Sequence, residues 1–466
     1  METKKFGLKD KIAYMMGDVG NDFSFILAST YVMVFYSKVM GISTALIGTM
    51  FLVARCVDAF TDIGMGRIVD NAKATKNGKF RPWIIRMCGP VAIASFLMYQ
   101  SGLAGCSYGV KVAYMFITYL LWGSVFYTSI NIPYGSMASV ISSDPKDRSS
   151  LSVFRSMGGM LAGIVISVIA PLVVYYTDAQ GNQVVSGPKM TMLAGIFSLC
   201  AIVAYLICYF WTTERVKVEE HVEKVAASKV PVTQTLKEVF GSRAMIGLIL
   251  SALLMLLASL MGQGVNNYLF ADYFKNAKML SLFSMLGLPA MLVLSLVSTK
   301  LATKFGKREC GAAGCLFSGI LYIIIGFLHL ENPMTFIILA FIAMLGMYFF
   351  SMQCYALVTD VIDDKEVRTG KRDDGTIYGV YSFSRKIGQA LAGGLSGWAL
   401  GWIGYDSAAV AQTQQVADGV YGLATYFPGV VYTLCGLVLL FIYPLSKKKV
   451  DANVAELHTR HAGNAN

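Results

Sequence analysis

Apolar residues run through this chain in long unbroken stretches, near 12–36, 44–69, 83–103, 110–140, 152–176, 190–212, 244–271, 279–299, 310–329, 333–359, 377–402 and 420–444. A helix that crosses the hydrocarbon of a bilayer takes about 20 such residues. Spans of a β-barrel would instead alternate with period two over about ten residues. The pattern therefore predicts an all-α, polytopic membrane protein of twelve transmembrane helices. The most polar interior stretch, with Glu214, Arg215, Glu219, Glu220, His221, Glu223 and Lys224, falls midway. It divides the chain into an N-terminal six-helix bundle (1–212), a linker (213–243), a C-terminal six-helix bundle (244–446) and a tail (447–466). His458 and His461 lie in that polar tail, which is expected to be disordered.

Two of the apolar stretches carry paired acids, Asp18 with Asp22 and Asp58 with Asp62. Residues spaced i, i+4 stack on one face of a helix. A charge at mid-bilayer costs about 2.5–3.5 kcal/mol even on lenient insertion scales. Paired acids on two neighbouring spans imply a polar cavity, of the kind that carries ions or polar solutes.

Composition agrees with a membrane protein. Of the 466 residues 55% are hydrophobic and 14% charged, against about 25% charged in soluble domains; the mean hydropathy is +0.57. The net charge of +11 belongs to loops rather than to a nucleic-acid-binding face. Lys73, Lys76, Lys79 and Arg81 gather on one side, with Lys300, Lys304, Lys307 and Arg308, and with Lys365, Arg368, Lys371 and Arg372. By the positive-inside rule that side is cytoplasmic, and both termini share it. Gly78-Lys79-Phe80-Arg81 after span two and Phe305-Gly306-Lys307-Arg308 after span eight form a faint repeat between the halves, as in parallel six-span repeats. The nine cysteines are scattered without C-x-x-C spacing and read as small packing residues. The first apolar run, holding two aspartates, does not read as a cleavable signal peptide.

In span two, Arg55, Asp58 and Asp62 share a stripe. Two carboxylates one turn apart repel, which favours a proton or small cation between them; alternatively Arg55 neutralises one acid in a structural ion pair. In span one, Gly17-Asp18-Val19-Gly20-Asn21-Asp22 places carboxylates that accept sugar hydroxyls, although Asp18 also suits the cap of a helix beginning near Val19. Span four sets Tyr127, Thr128, Asn131, Tyr134 and Gly135 at helical spacing, with Pro133 among them; buried hydroxyls there serve equally as helix–helix glue. Arg155 lies one turn inside span five, and Arg385 and Lys386 lie in span eleven. Arg385 suits a snorkelling role, whereas Lys386 is deep enough to meet the acids of the first half. Gly393, Gly397 and Gly401 make two G-x-x-x-G steps that allow close helix approach. His221 and His329 lack metal-ligand companions, and no P-loop, G-x-S-x-G or H-E-x-x-H occurs.

Gly17-Asp18-Val19-Gly20-Asn21-Asp22-Phe23 resembles the first-helix signature of the glycoside–pentoside–hexuronide:cation symporters of the major facilitator superfamily. So do Phe51 to Asp62 with Gly66, Asp70 and Gly78 to Trp83, then Asn131-Ile132-Pro133-Tyr134-Gly135-Ser136, and Asp360 through Asp363, Glu366, Gly370 and Arg372 to Lys386-Ile387-Gly388. The similarity covers nearly the whole chain. The resemblance implies a coupling-cation site of Asp58, Asp62, Thr128 and Asn131. It implies sugar contacts from Asp22, Tyr127, Asn131 and Arg155, to which the charge reading adds Asp18, with Lys386 linking the two sites. The family uses Na⁺, Li⁺ or H⁺. Where melibiose-transporting members carry a carboxylate and a Trp, this chain has Asn131 and Gly135. Asn brings no charge, which weakens Na⁺, and loss of the Trp removes a stacking platform for galactosides.

The expected function is a secondary sugar:cation symporter in a bacterial cytoplasmic membrane, more H⁺- than Na⁺-driven and without a cofactor or a metal beyond Na⁺. A cytoplasmic charge cluster of Asp70, Arg81, Asp360, Asp363, Glu366 and Arg372 is expected to hold one state closed. The rivals are a membrane-embedded enzyme using Asp58 and Asp62, and a non-transporting sugar sensor. Arg155 and Lys386 offer positive charge to a hexuronide, while a neutral pentoside fits as well. Oligomeric state is not legible.

Overall fold

A computed structural model describes residues 5–142, 144–216, 241–370 and 374–463. Among the described residues the chain is helical apart from one short hairpin and a single bridge between Thr75 and Gly78, and it divides into two compact units. Unit 1 comprises Met1–Ala226 with Gly397–Gln412, and unit 2 comprises Ala227–Ser396 with Thr413–Asn466. The expected linker, 213–243, lies largely outside the described residues.

Unit 1 contains α1 (Leu8–Val34), α2 (Thr44–Asn71), α3 (Arg81–Leu97), α4 (Tyr108–Leu120), α5 (Thr128–Ile141), α6 (Pro145–Val174) and α7 (Gly187–Trp211). A π-helical segment, Leu121–Tyr127, joins α4 to α5 into one rod, and another, Phe35–Val39, ends α1. Between α6 and α7 the strands β1 (Tyr175–Thr177) and β2 (Gln183–Val185) pair antiparallel, Tyr175 opposite Val185. Unit 2 contains α8 (Arg243–Tyr268), α9 (Lys278–Met285), α10 (Gly287–Phe305), α11 (Lys307–Leu328), α12 (Pro333–Thr369), the greater part of α13 (Asp374–Trp402), α14 (Gln414–Leu437) and α15 (Lys447–Gly463). Within the region assigned to unit 1, the end of α13 packs on the start of α2. A Cβ at Gly397 would lie 2.8 Å from Gly48 Cα, so the G-x-x-x-G stripe does bring backbones together.

Eight helices among the described residues are long and apolar enough to cross a membrane. The other apolar stretches have visible interruptions. Helix α1 holds Asp18, Asn21 and Asp22, α3 is 17 residues long, α9 and α10 break at Leu286, and α13 carries Arg385 and Lys386. Large side chains such as Phe60, Leu199, Phe210, Phe327 and Phe441 are exposed, as a lipid-facing exterior requires.

The two basic loops are built alike. Gly78 has φ +106° and Gly306 φ +102°, in the region that favours glycine. After Gly78, the Glu214 carboxylate accepts the backbone N–H groups of Lys79, Phe80 and Arg81 at 2.7, 2.9 and 2.7 Å. The Arg81 guanidinium donates to the Tyr209 carbonyl, at the end of α7, at 2.6 and 3.1 Å. After Gly306, Arg308 donates to the carbonyls of Leu439, at 2.9 Å, and Leu440. Each half thus ties this loop to its own last long helix. Arg215 adds a fork on buried Asp10, at 3.0 and 2.9 Å.

The tail departs from expectation, since Lys447–Gly463 is a helix. Asn453 and Leu457 are buried, Asn453 Nδ2 donates to Asp364 Oδ1 at 3.2 Å, and Arg460 donates to the Val367 carbonyl at 3.1 Å. Val450, Asn453 and Leu457 follow a 3, 4 spacing that forms one inward stripe. High overall polarity hid that stripe.

Candidate functional site

The acids of α2 meet the rod formed by the π-helical segment and α5. Ser124 Oγ donates to Asp58 Oδ1 at 2.5 Å, and Thr128 Oγ1 donates to Asp62 Oδ1 at 3.0 Å. Donor and acceptor advance by four residues on both elements, so the two helices run side by side in the same direction here. Arg55 Nη1 holds the other oxygen of Asp58 at 3.1 Å, and its guanidinium carbon lies 5.9 Å from the centre of the Phe25 ring. The ion pair left open by the sequence therefore forms, and it takes one acid of the two. Sequence reasoning missed Ser124. Its signal was the spacing of four to Thr128, matching that of Asp58 to Asp62.

The acids of α1 sit in a second cluster, with α5, α6 and α7. Helix α1 begins at Leu8, so Asp18 lies mid-helix and caps nothing. Arg155 Nε, on α6, donates to Asp18 Oδ1 at 2.9 Å. The same guanidinium lies 5.0 Å from the centre of the Tyr134 ring, which stacks on Tyr14 at 4.7 Å. Asn21, 1% exposed, accepts the Tyr205 hydroxyl at 2.8 Å and donates from Nδ2 to Asn131 Oδ1 at 3.4 Å. A buried amide so fully engaged holds its rotamer.

Asp22 differs from its neighbour. Among the described residues it has no hydrogen bond or ion pair, and it points with Asp18 at the backbone of α6. A Cβ at Gly159 would lie 2.5 Å from Asp22 Oδ2 and 3.2 Å from Asp18 Oδ2. At Gly158 it would lie 2.5 Å from the Met15 carbonyl oxygen. This glycine pair is what lets α6 approach α1 closely enough for Arg155 to reach Asp18. Tyr127 contributes an aromatic wall, stacked on Phe25 at 5.6 Å and tilted against Trp122 at 5.5 Å.

One turn of α5 touches both clusters. Thr128 reaches Asp62 and Asn131, three residues on, reaches Asn21. Lys386 lies in unit 2 on α13 with an exposed side chain. Arg385 beside it donates to the Tyr355 hydroxyl at 2.5 Å, with its guanidinium carbon 5.7 and 5.9 Å from the Tyr355 and Tyr381 ring centres; it is held by aromatics rather than reaching along the helix. Of the expected charge cluster, Arg81 binds the Tyr209 carbonyl and Asp360 pairs with Lys307 Nζ at 2.5 Å. Asp363 and Glu366 are half-buried. Arg372 and the Asp70 side chain lie outside the described residues. All nine cysteines are free; Cys88, Cys208, Cys315, Cys354 and Cys435 are buried, whereas Cys56 and Cys200 are exposed.

Asp18, Asp58 and Asp62 are held by hydroxyls and arginines inside bundles of long apolar helices, an arrangement that suits a membrane transporter. The chain matches the family described as MFS/sugar transport protein over residues 13–447, and it belongs to that family. It is 31% identical over 460 residues to the uncharacterized symporter YjmB of Bacillus subtilis (strain 168), covering 98% of this chain and 96% of that one. It is 30% identical over 458 residues to the glucuronide carrier protein homolog of Escherichia coli (strain K12), covering 96% and 95%. The isoprimeverose transporter of Lactiplantibacillus pentosus is 31% identical over 456 residues, covering 97% and 92%. Among solved structures, the D-xylose-proton symporter superposes with a TM-score of 0.62 at 13% identity, covering 94% of this chain and 98% of that one. A bacterial homologue of the iron transporter ferroportin, in an inward-facing state, gives 0.66 at 13% identity, covering 95% and 100%. These two likenesses speak to the fold.

Proposed function

We propose that the protein is a symporter that moves a sugar or glycoside across a bacterial cytoplasmic membrane together with a monovalent cation, H⁺ rather than Na⁺. The observation that carries this reading is the shared turn of α5, where Thr128 bonds Asp62 and Asn131 bonds Asn21 beside Asp22. A cation at Asp58, Asp62, Thr128 and Asn131 alters the hydrogen bonding of the turn that borders the sugar. The sugar site comprises Asp18, Asp22, Tyr127, Asn131 and Arg155, with Lys386 supplied by α13. Linkage then requires that sugar tighten the cation by the same factor by which the cation tightens sugar. The names of the glucuronide carrier homolog and the isoprimeverose transporter support a sugar as cargo. Asn131, which brings no charge to the cation site, favours H⁺.

Both termini are cytoplasmic in this reading, since the basic loops share one side. The charges of Asp70, Arg81, Asp360, Asp363, Glu366 and Arg372 then gate the cytoplasmic mouth. Uptake of labelled sugars into sealed vesicles, driven separately by a pH gradient and by a Na⁺ gradient, tests the reading. Accumulation driven by the pH gradient is expected. Chemical change of the sugar, or uptake indifferent to both gradients, would overturn it.

A further inference from the structure

We propose that unit 2 carries a binding site of its own for a neutral, polyhydroxylated solute, in a cavity lined by α10, α12 and the terminal helix α15. The acids of α1 and α2 belong to unit 1, so this site goes beyond the symport reading and does not depend on it.

Two helical stripes build its walls. Ser298 and Ala302 stand one turn apart on α10, and Gln353, Ala356 and Asp360 follow a 3, 4 spacing on α12, which sets each group on one face. Lys447, Val450 and Asp451 add the start of α15, and the cavity so lined measures about 520 Å³. Small-molecule sites run from about 300 to 1,000 Å³.

The walls hold buried polar groups without partners. Ser298 is 5% exposed and Gln353 8% exposed, and neither side chain makes a hydrogen bond among the described residues. Asp360 gives Oδ1 to Lys307 Nζ at 2.5 Å, while its buried Oδ2 has no partner among the described residues. Buried polar groups are nearly always hydrogen-bonded. Three such groups on one cavity mark a place for a ligand that completes them.

Their chemistry defines the ligand. A serine hydroxyl and a glutamine amide each donate and accept, and a carboxyl oxygen takes a hydroxyl as partner. A set of ligand hydroxyls answers all three. The charged groups are already engaged: Lys307 on Asp360, Lys447 Nζ on Asp451 Oδ2 at 2.7 Å, and Arg308 on the carbonyls of Leu439 and Leu440. An anion has to break one of these contacts to be held, and a bare metal ion leaves most of the space empty. Met352, Leu445 and Val450 offer apolar surface, suited to the C–H face of a sugar ring. The ligand class is therefore a neutral sugar or sugar alcohol, whose presence ties the start of α15 to α10 and α12.

The test uses the full chain in lipid nanodiscs, with D-glucose, D-sorbitol and cellobiose as probes at up to about 20 mM, which captures millimolar affinity. Amide hydrogen exchange is followed in peptides spanning Lys447–Asp451 and in peptides of α1. At least one probe is expected to slow exchange at Lys447–Asp451 by about threefold or more. Gln353→Leu keeps the bulk and removes the amide, and it is expected to abolish that protection while leaving any protection of α1 in place. Ser298→Ala removes only a hydroxyl and is expected to raise the concentration for half protection about threefold; it carries the test if Gln353→Leu does not fold. If no probe slows exchange at Lys447–Asp451, the cavity holds water alone and the proposal is overturned. Protection that survives both substitutions unchanged arises elsewhere and overturns it too, as does tighter binding of sodium glucuronate than of glucose. The symport reading fails separately, in the vesicle experiment.

Discussion

Ser124 donates its hydroxyl to Asp58 across 2.5 Å, on the side of the carboxylate away from Arg55. Asp58 is thereby held at both oxygens, and one turn on Asp62 accepts the Thr128 hydroxyl. Removing the Ser124 hydroxyl leaves an ionised acceptor short of a donor. Ser124→Ala is expected to destabilise the protein by about 1–2 kcal/mol, read as a lower midpoint of thermal unfolding in detergent. An unchanged midpoint would mean that water replaces the hydroxyl without loss.

Asp62→Asn keeps a hydrogen-bonding group but removes the charge that a coupling cation would neutralise. Gradient-driven accumulation is expected to fall at least about a hundredfold, while exchange of labelled for unlabelled sugar across the vesicle membrane persists. Loss of exchange as well would place Asp62 in sugar binding rather than in coupling.

Thr128→Val retains shape and loses only the hydroxyl that joins the acid of α2 to α5. Cation affinity is expected to drop about tenfold, with sugar affinity at saturating cation changed by less than about threefold. A variant that loses sugar binding equally at all cation concentrations would contradict a role in the link.

Gly159→Ala introduces a methyl 2.5 Å from Asp22 Oδ2, whereas Gly163→Ala places one at an ordinary 3.4 Å from Ile26 Cδ1. The first is expected to weaken sugar binding at least about tenfold, because the carboxylate must leave the seam. The second is expected to bind sugar normally. Calorimetry on both variants separates crowding of the site from a general effect of adding bulk to α6.

Leu457 is 7% exposed in the terminal helix. Leu457→Ala is expected to cost about 2 kcal/mol of stability, at the low end for a buried leucine because the site lies near the surface. If denaturation midpoints of the variant and the parent coincide, α15 is not packed as described.

Much of this was written in the apolar runs. Long apolar stretches give helices whatever their neighbours, and an acid at i and i+4 has to share a face, so Asp18, Asp22, Asp58 and Asp62 could be singled out from spacing alone. What spacing cannot supply is which partner takes which acid. Arg155 was a free cation on paper, and only the approach of α6 across Gly158 and Gly159 assigns it to Asp18. Ser124 was passed over despite its spacing to Thr128, because a serine in an apolar helix ordinarily bonds its own backbone. The terminal helix was hidden for the opposite reason, since three inward residues among many charged ones barely register as a pattern.

Arg81 fastens its loop to the Tyr209 carbonyl, and Arg308 does the same at Leu439, each without borrowing from the other unit. Glu214 and Arg215 secure the first residues beyond α7 in the same self-contained manner. Each basic loop therefore moves with the helix that pins it, whatever the rest of the chain does.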